Sequence, residues 1–115
     1  MNYMNYETGE LKTNLITTFC PELGKYVVDR YNSDTGEFTI YRFENGYGMH
    51  VFKNYSDSRD RLEGIVCIFP DENTTMMRSV FDNEFEEDVL DITSPKELFE
   101  KLSIVKNWTK GQYLR

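Results

Sequence analysis

Two runs rich in aromatic and β-branched residues, "FTIYRF" and "YGMHVF", stand on either side of Glu44, Asn45 and Gly46. Such residues pack well on a pleated surface, and Asn-Gly between two of these runs is the strongest short-range signal for a β-hairpin. A two-residue loop at Asn45-Gly46 sets Glu44 opposite Tyr47, Tyr41 opposite His50 and Ile40 opposite Val51. Upstream, "KYVVDRYN" is β-rich and is joined to "FTIYRF" by the turn cluster "NSDTGE", where Gly36 is expected to supply a positive φ. Residues 25–54 therefore read as a three-stranded antiparallel meander.

The rest of the chain adds to that sheet. "EGIVCIF" is a short continuous apolar run, as expected of a central strand buried on both faces. "TTMMRSVF" can return as a further strand. In "LKTNLITTFC", Leu15, Thr17 and Phe19 alternate with Ile16 and Thr18, which fits a strand ended by Pro21; a short helix is the competing reading. Residues 1–10 look loosely ordered and 109–115 form a tail. "TSPKELFEKLSIVKNW" is a helix over 95–106, with Ser94 at the N-cap, Pro95 at the first position and Glu97 completing a capping box. Leu98, Leu102 and Val105 fall on one stripe, with Phe99 beside it, and Trp108 packs just past the helix end. The expectation is one α+β domain over 1–115: roughly five mainly antiparallel strands with the C-terminal helix on one face.

At 115 residues such a domain needs no disulfide or metal staple. A net charge of −7 argues against direct nucleic-acid or anionic-membrane binding and favours a basic macromolecular partner. The opening "MNYMNYETGELK" has neither a basic start nor an apolar core, and no run spans a bilayer. A cytoplasmic protein is expected, with Cys20 and Cys67 as free core thiols. Three Asn-x-Ser/Thr triplets, at Asn54, Asn73 and Asn107, are then chance occurrences. The sequence leaves the oligomeric state open between monomer and homodimer.

Few residues point to chemistry. His50 is the single histidine, and the hairpin register gives it Tyr41 and no carboxylate as neighbour; a strand histidine is expected rather than a general base. Cys67 lies in an apolar strand, the opposite of the electropositive setting a nucleophilic thiol needs. In "DENTTMMRSVFD", Asp71, Asn73 and Thr75 alternate as in a calcium loop, but Met76 stands where glycine is required and the twelfth residue is Asp82. No phosphate-binding or nucleophile-elbow motif occurs. The expectation is a protein that is not an enzyme, with no cofactor and no metal.

The unusual feature is "DNEFEEDVLD", which has six carboxylates in ten residues and no basic residue. Asp82, Glu84, Glu86, Glu87, Asp88 and Asp91 are interrupted by Phe85, Val89 and Leu90. Three readings apply: a solvated connection that favours the coming helix N-terminus, a divalent-metal site, or a docking surface for a basic partner. In the last, Asp82, Glu84, Glu86, Glu87 and Asp88 supply charge, and Phe85, Tyr41 and Tyr47 supply exposed aromatic anchors.

"YRFENGYGMHVF", "EGIVCIF" and "DVLDITSPKELFEKLSIVKNW" together resemble a group of small uncharacterised tailed-phage proteins. These carry a Phe-x-Asn-Gly-Tyr-Gly segment, a later Glu-Gly strand, an acidic "DV" turn and a capped Leu-x-x-Leu/Ile helix. The matching pieces are 43–48, 63–69 and 88–105; the longer segment 1–30 departs from the group. The resemblance implies a phage or prophage origin and brings no catalytic residues with it. Small acidic phage proteins often block a host enzyme, so it implies a non-catalytic inhibitor of a basic, nucleic-acid-handling defence protein in the infected bacterial cytoplasm, such as a CRISPR nuclease. The alternatives are a phage structural or assembly module and a small carboxylate- or metal-dependent hydrolase.

Overall fold

The computed structural model describes Tyr3–Met4, Leu11–Lys12, residues 15–70 and residues 76–113. Strands β1 (Tyr3–Met4) and β2 (Leu11–Lys12) pair antiparallel with each other. The main sheet contains β3 (Val27–Asn32), β4 (Gly36–Arg42), β5 (Tyr47–Asn54), β6 (Leu62–Ile68), β7 (Arg78–Ser79) and β8 (Leu90–Ile92). They run in the order β3-β4-β5-β6-β7, all antiparallel, and β8 pairs with the N-terminal half of β6 while β7 pairs with its C-terminal end. Helix α1 (Pro95–Lys106) lies on one face, against β5 and β8. The fold is α+β, as the sequence predicts.

The meander forms, and helix α1 has the predicted bounds. Glu97 N–H donates to Ser94 Oγ at 3.1 Å, while the Glu97 carboxylate accepts from Thr93 N–H at 3.3 Å. The reciprocal half of the cap therefore lands one residue ahead of Ser94. Leu98, Leu102 and Val105 are fully buried against Met49, Val51, Leu90 and Ile92 in the same core. Phe99, beside the stripe, stays half exposed.

The expected hairpin register is corrected by one residue. Arg42 pairs with Gly48, Tyr41 with Met49 and Ile40 with His50. Phe43 N–H donates to Tyr47 O at 2.7 Å and Gly46 N–H to Phe43 O at 3.0 Å, so the loop has three residues. Gly46, at φ +87°, is a bulge residue in the left-handed region that favours glycine, whereas Gly36 does not take the positive φ expected of it and opens β4 as a strand residue paired with Asn54. The physical reason for the shifted register lies outside the hairpin. Asn45 Nδ2 donates to the carbonyls of Val105 at 2.9 Å, Lys106 at 3.3 Å and Trp108 at 2.9 Å, and Asn45 Oδ1 accepts from Tyr47 N–H at 2.9 Å. The tip residue caps the C-terminus of α1, where the last carbonyls lack intrahelical partners. A one-residue slip exchanges faces along a strand. Tyr41, Tyr47 and Met49 turn into the core, and His50 turns to the opposite face with Phe38 and Phe52.

The strand expected across Leu15, Thr17 and Phe19 is not formed. Ile16–Thr18 and Pro21–Tyr26 are 3-10 turns, and β3 begins only at Val27. Thr17 is buried by its polar bonds: its N–H donates to Glu37 Oε1 at 2.8 Å and its hydroxyl meets that of Thr39 at 2.7 Å. Its carbonyl accepts from Tyr41 OH at 3.2 Å, so Glu37 and Tyr41 satisfy the backbone that a strand would have paired in a ladder. The strand expected over "TTMMRSVF" is reduced to Arg78–Ser79, with residues 74 and 75 outside the described residues. The calcium-loop comparison falls in part on residues 71–75, also outside them. Strand β8 was not expected; it forms from the end of the acidic run. The tail is tied back at Tyr113, whose N–H donates to the Tyr47 hydroxyl at 2.7 Å.

Candidate partner-binding site

Residues 82–88 form a loop at the end of the molecule where α1 finishes. Asn83, buried, builds it: its Nδ2 donates to Val80 O at 2.6 Å, its Oδ1 accepts from Phe85 N–H at 2.8 Å, and its carbonyl accepts from Glu86 N–H at 3.1 Å. Asn readily forms such side-chain turns. Behind the loop stands an aromatic group. The Trp108 ring lies 5.3 Å from Tyr47, 4.6 Å from Tyr113 and 6.0 Å from Phe85. The Trp108 indole N–H donates to the Glu84 carboxylate. Asn45, by capping α1 and Trp108, ties the hairpin tip to the same support.

This support sorts the predicted residues. Asp82, Glu84, Glu86, Glu87 and Asp88 are exposed, and Phe85 is half-buried against Trp108. Glu84 has its carboxylate held by the indole, and Asp91 leaves the group altogether, pairing with Arg61. Tyr41 and Tyr47 do not belong to any surface. Both are 0% exposed, because the shifted register turns them into the core; this corrects their assignment as exposed anchors. Tyr41 OH donates to Thr17 O at 3.2 Å, and burial pushes its phenol above the ordinary range. Glu86 has φ +57°, the one positive value at a non-glycine position among the described residues. That conformation costs an L-residue about 1–2 kcal/mol, and it persists where surrounding structure imposes it. The residues missed in the sequence are Asn83, Asn45 and Trp108. Asn83 carried a turn signal, whereas the roles of Asn45 and Trp108 depend on contacts between distant segments.

The other chemical candidates are elsewhere. His50 sits edge-on to Phe38 at 5.3 Å and beside Phe52 at 5.3 Å, on the face away from α1, with Ile40 and not Tyr41 across the hairpin. Its Nε2 is buried without a hydrogen-bond partner, and burial lowers its pKa against the opposing pull of Asp29. Cys20 and Cys67 are buried free thiols; burial pushes Cys67 up to about 12, and burial with the Glu22 charge pushes Cys20 up to about 11. A cleft of about 230 Å³ lies at the other end of α1, lined by Ile16, Phe19, Lys53, Arg61, Leu62 and Pro95. Its cations are engaged: Lys53 Nζ donates to Arg59 O at 2.7 Å, and Arg61 meets Asp57 at 3.2 Å. Among the described residues, no trio of His, Cys, Asp or Glu is placed to hold a metal ion, and no helix is long and apolar enough to cross a membrane. No protein-family model, curated protein or solved structure matches the chain.

Proposed function

We propose that the protein is a non-catalytic binding protein whose acidic loop docks on a basic surface of a partner. The observation that carries this reading is the placing of Glu86, Glu87 and Asp88: three consecutive exposed carboxylates that follow directly on a turn held by Asn83 and by the packing of Phe85 on Trp108. Charges that follow a held turn have less backbone freedom to lose on binding than charges on a floppy tail. Their single sign steers encounter with a cationic patch and repels anionic ones. Proteins that handle nucleic acid carry such patches. Together with the resemblance to phage proteins, this supports an inhibitor acting in the cytoplasm of an infected bacterium on a host nuclease, a CRISPR effector being one kind. Phe85, and not Tyr41 or Tyr47, is the aromatic edge available beside the charges.

The test is affinity capture from host lysate with the wild-type chain and with a Glu86→Lys/Glu87→Lys/Asp88→Lys variant. A basic nucleic-acid-handling protein should be captured by the first and lost by the second, and capture should weaken as salt rises. Equal capture by both chains overturns the proposal. A second reading, a self-assembling structural module, draws on a different observation. On the face away from α1, half-buried Tyr31, Phe38, His50 and Phe52 form a row of rings, with Tyr31 stacked on Phe38 at 5.6 Å. That reading requires a concentration-dependent mass for the purified protein alone.

A further inference from the structure

We infer that Asn45 is a modification site: a deamidation-prone asparagine that the fold keeps silent, whose conversion would release the support of the acidic loop. Asn45-Gly46 is the one Asn-Gly pair in the sequence. A following glycine has no side chain to hinder attack by its own amide nitrogen. In the reaction, Gly46 N gives up its proton and bonds to Asn45 Cγ; the Cγ–Nδ2 bond breaks and ammonia leaves. The resulting succinimide takes up one water at either carbonyl and opens to aspartate or isoaspartate. One water enters, one ammonia departs, and no oxidant or reductant is involved.

In the folded chain every participant is occupied. Gly46 N–H donates to Phe43 O at 3.0 Å. Asn45 Nδ2 donates to the carbonyls of Val105, Lys106 and Trp108, and its Oδ1 accepts from Tyr47 N–H. Bringing Cγ onto Gly46 N requires the side chain to leave all of these partners and the hairpin tip to part from α1. Reaction is thus confined to molecules in which this end has opened, and its rate follows the population of that open state. The product cannot rebuild the cap. A carboxylate has no hydrogen to donate and would face carbonyl oxygens at the negative end of the helix dipole. An isoaspartyl link also lengthens the backbone in a turn whose bulge sets the strand register. Trp108, whose carbonyl Asn45 holds and whose indole holds Glu84, transmits the loss to the loop. Each sufficiently long opening is therefore recorded permanently, as an ageing mark on the part of the surface assigned to binding. The chemistry itself does not depend on what the loop binds.

The test uses the full chain, incubated at mildly alkaline pH with and without concentrated urea. The peptide containing residue 45 is followed by mass spectrometry and by isoaspartate assay. We expect deamidation at least about tenfold slower in the folded protein. The sole tryptophan, Trp108, is buried, so its emission should move to the red as deamidated molecules accumulate. An Asn45→Asp variant should melt below wild type and show the same emission change. Equal rates with and without urea overturn the silencing, and wild-type melting and emission in Asn45→Asp overturn the cap. The rate comparison needs no variant, so it stands even where Asn45→Asp does not fold.

Discussion

Two acidic regions of this molecule use their carboxylates in opposite ways. Around β6 and its preceding loop, Asp57, Glu63 and Asp91 are drawn in by arginine. Arg61 meets Asp57 at 3.2 Å and Glu63 at 3.7 Å and also pairs with Asp91, while Arg59 meets Asp57 at 3.0 Å. The Asp57 carboxyl is held well below its usual range, first by the Arg59 side-chain hydrogen bond, then by the Arg59 backbone N–H and the charges of Arg59 and Arg61. In the loop 82–88 there is no basic residue, and Glu86, Glu87 and Asp88 face solvent. Acidic composition alone therefore says little about binding. A carboxylate already compensated within the fold contributes to the fold, and one mounted without a cation is available to something else.

Four variants would break or sharpen that contrast. The largest effect is expected from Trp108→Ala, which removes a buried ring and the indole donor of Glu84; it should destabilise by about 3–5 kcal/mol in denaturant titration. Hydrogen exchange should rise first at residues 82–88 and leave 57–63 protected. Equal loss of protection in both would mean that the regions are not independently supported. Next, Arg61→Ala takes the shared cation from three carboxylates, of which Asp57 keeps Arg59, and should lower the denaturation midpoint at neutral pH by less than Trp108→Ala does. Asp57, whose folded pKa is depressed, contributes stability that is full above its ordinary value of 3.8 and is lost as the pH falls through the depressed value. Arg59 is the first cause of that depression and Arg61 the last, so the gap between wild type and an Arg59→Ala variant should narrow on acidification, and a gap that widens in acid would refute the pairing. The smallest effect belongs to Glu86→Gln/Glu87→Gln/Asp88→Asn, expected within about 0.5 kcal/mol of wild type in the same titration. A loss well beyond that would place these carboxylates among the structural ones.

Much of the fold was legible in local order along the chain. The meander followed from β-rich runs separated by turn residues, and α1 from Ser94, Pro95, Glu97 and the stripe Leu98, Leu102, Val105. Each signal lies within a few residues of what it specifies, so elementary sterics and hydrogen bonding suffice. The acidic run was equally plain, and so was its division by Phe85. Tertiary contacts decided the remainder. Asn-Gly alone favours a two-residue turn, but the carbonyls at the end of α1, some sixty residues away, draw the Asn45 side chain and leave Gly46 as a bulge. That one-residue change buried Tyr41 and Tyr47 and turned His50 to the other face. Thr17 gave up a strand for Glu37 and Thr39, and Arg61 and Trp108 chose which carboxylates the fold would take. Alternation and composition give the period and sign of these groups. Their partners are set by which distant segments the closed sheet and its helix bring within hydrogen-bond reach.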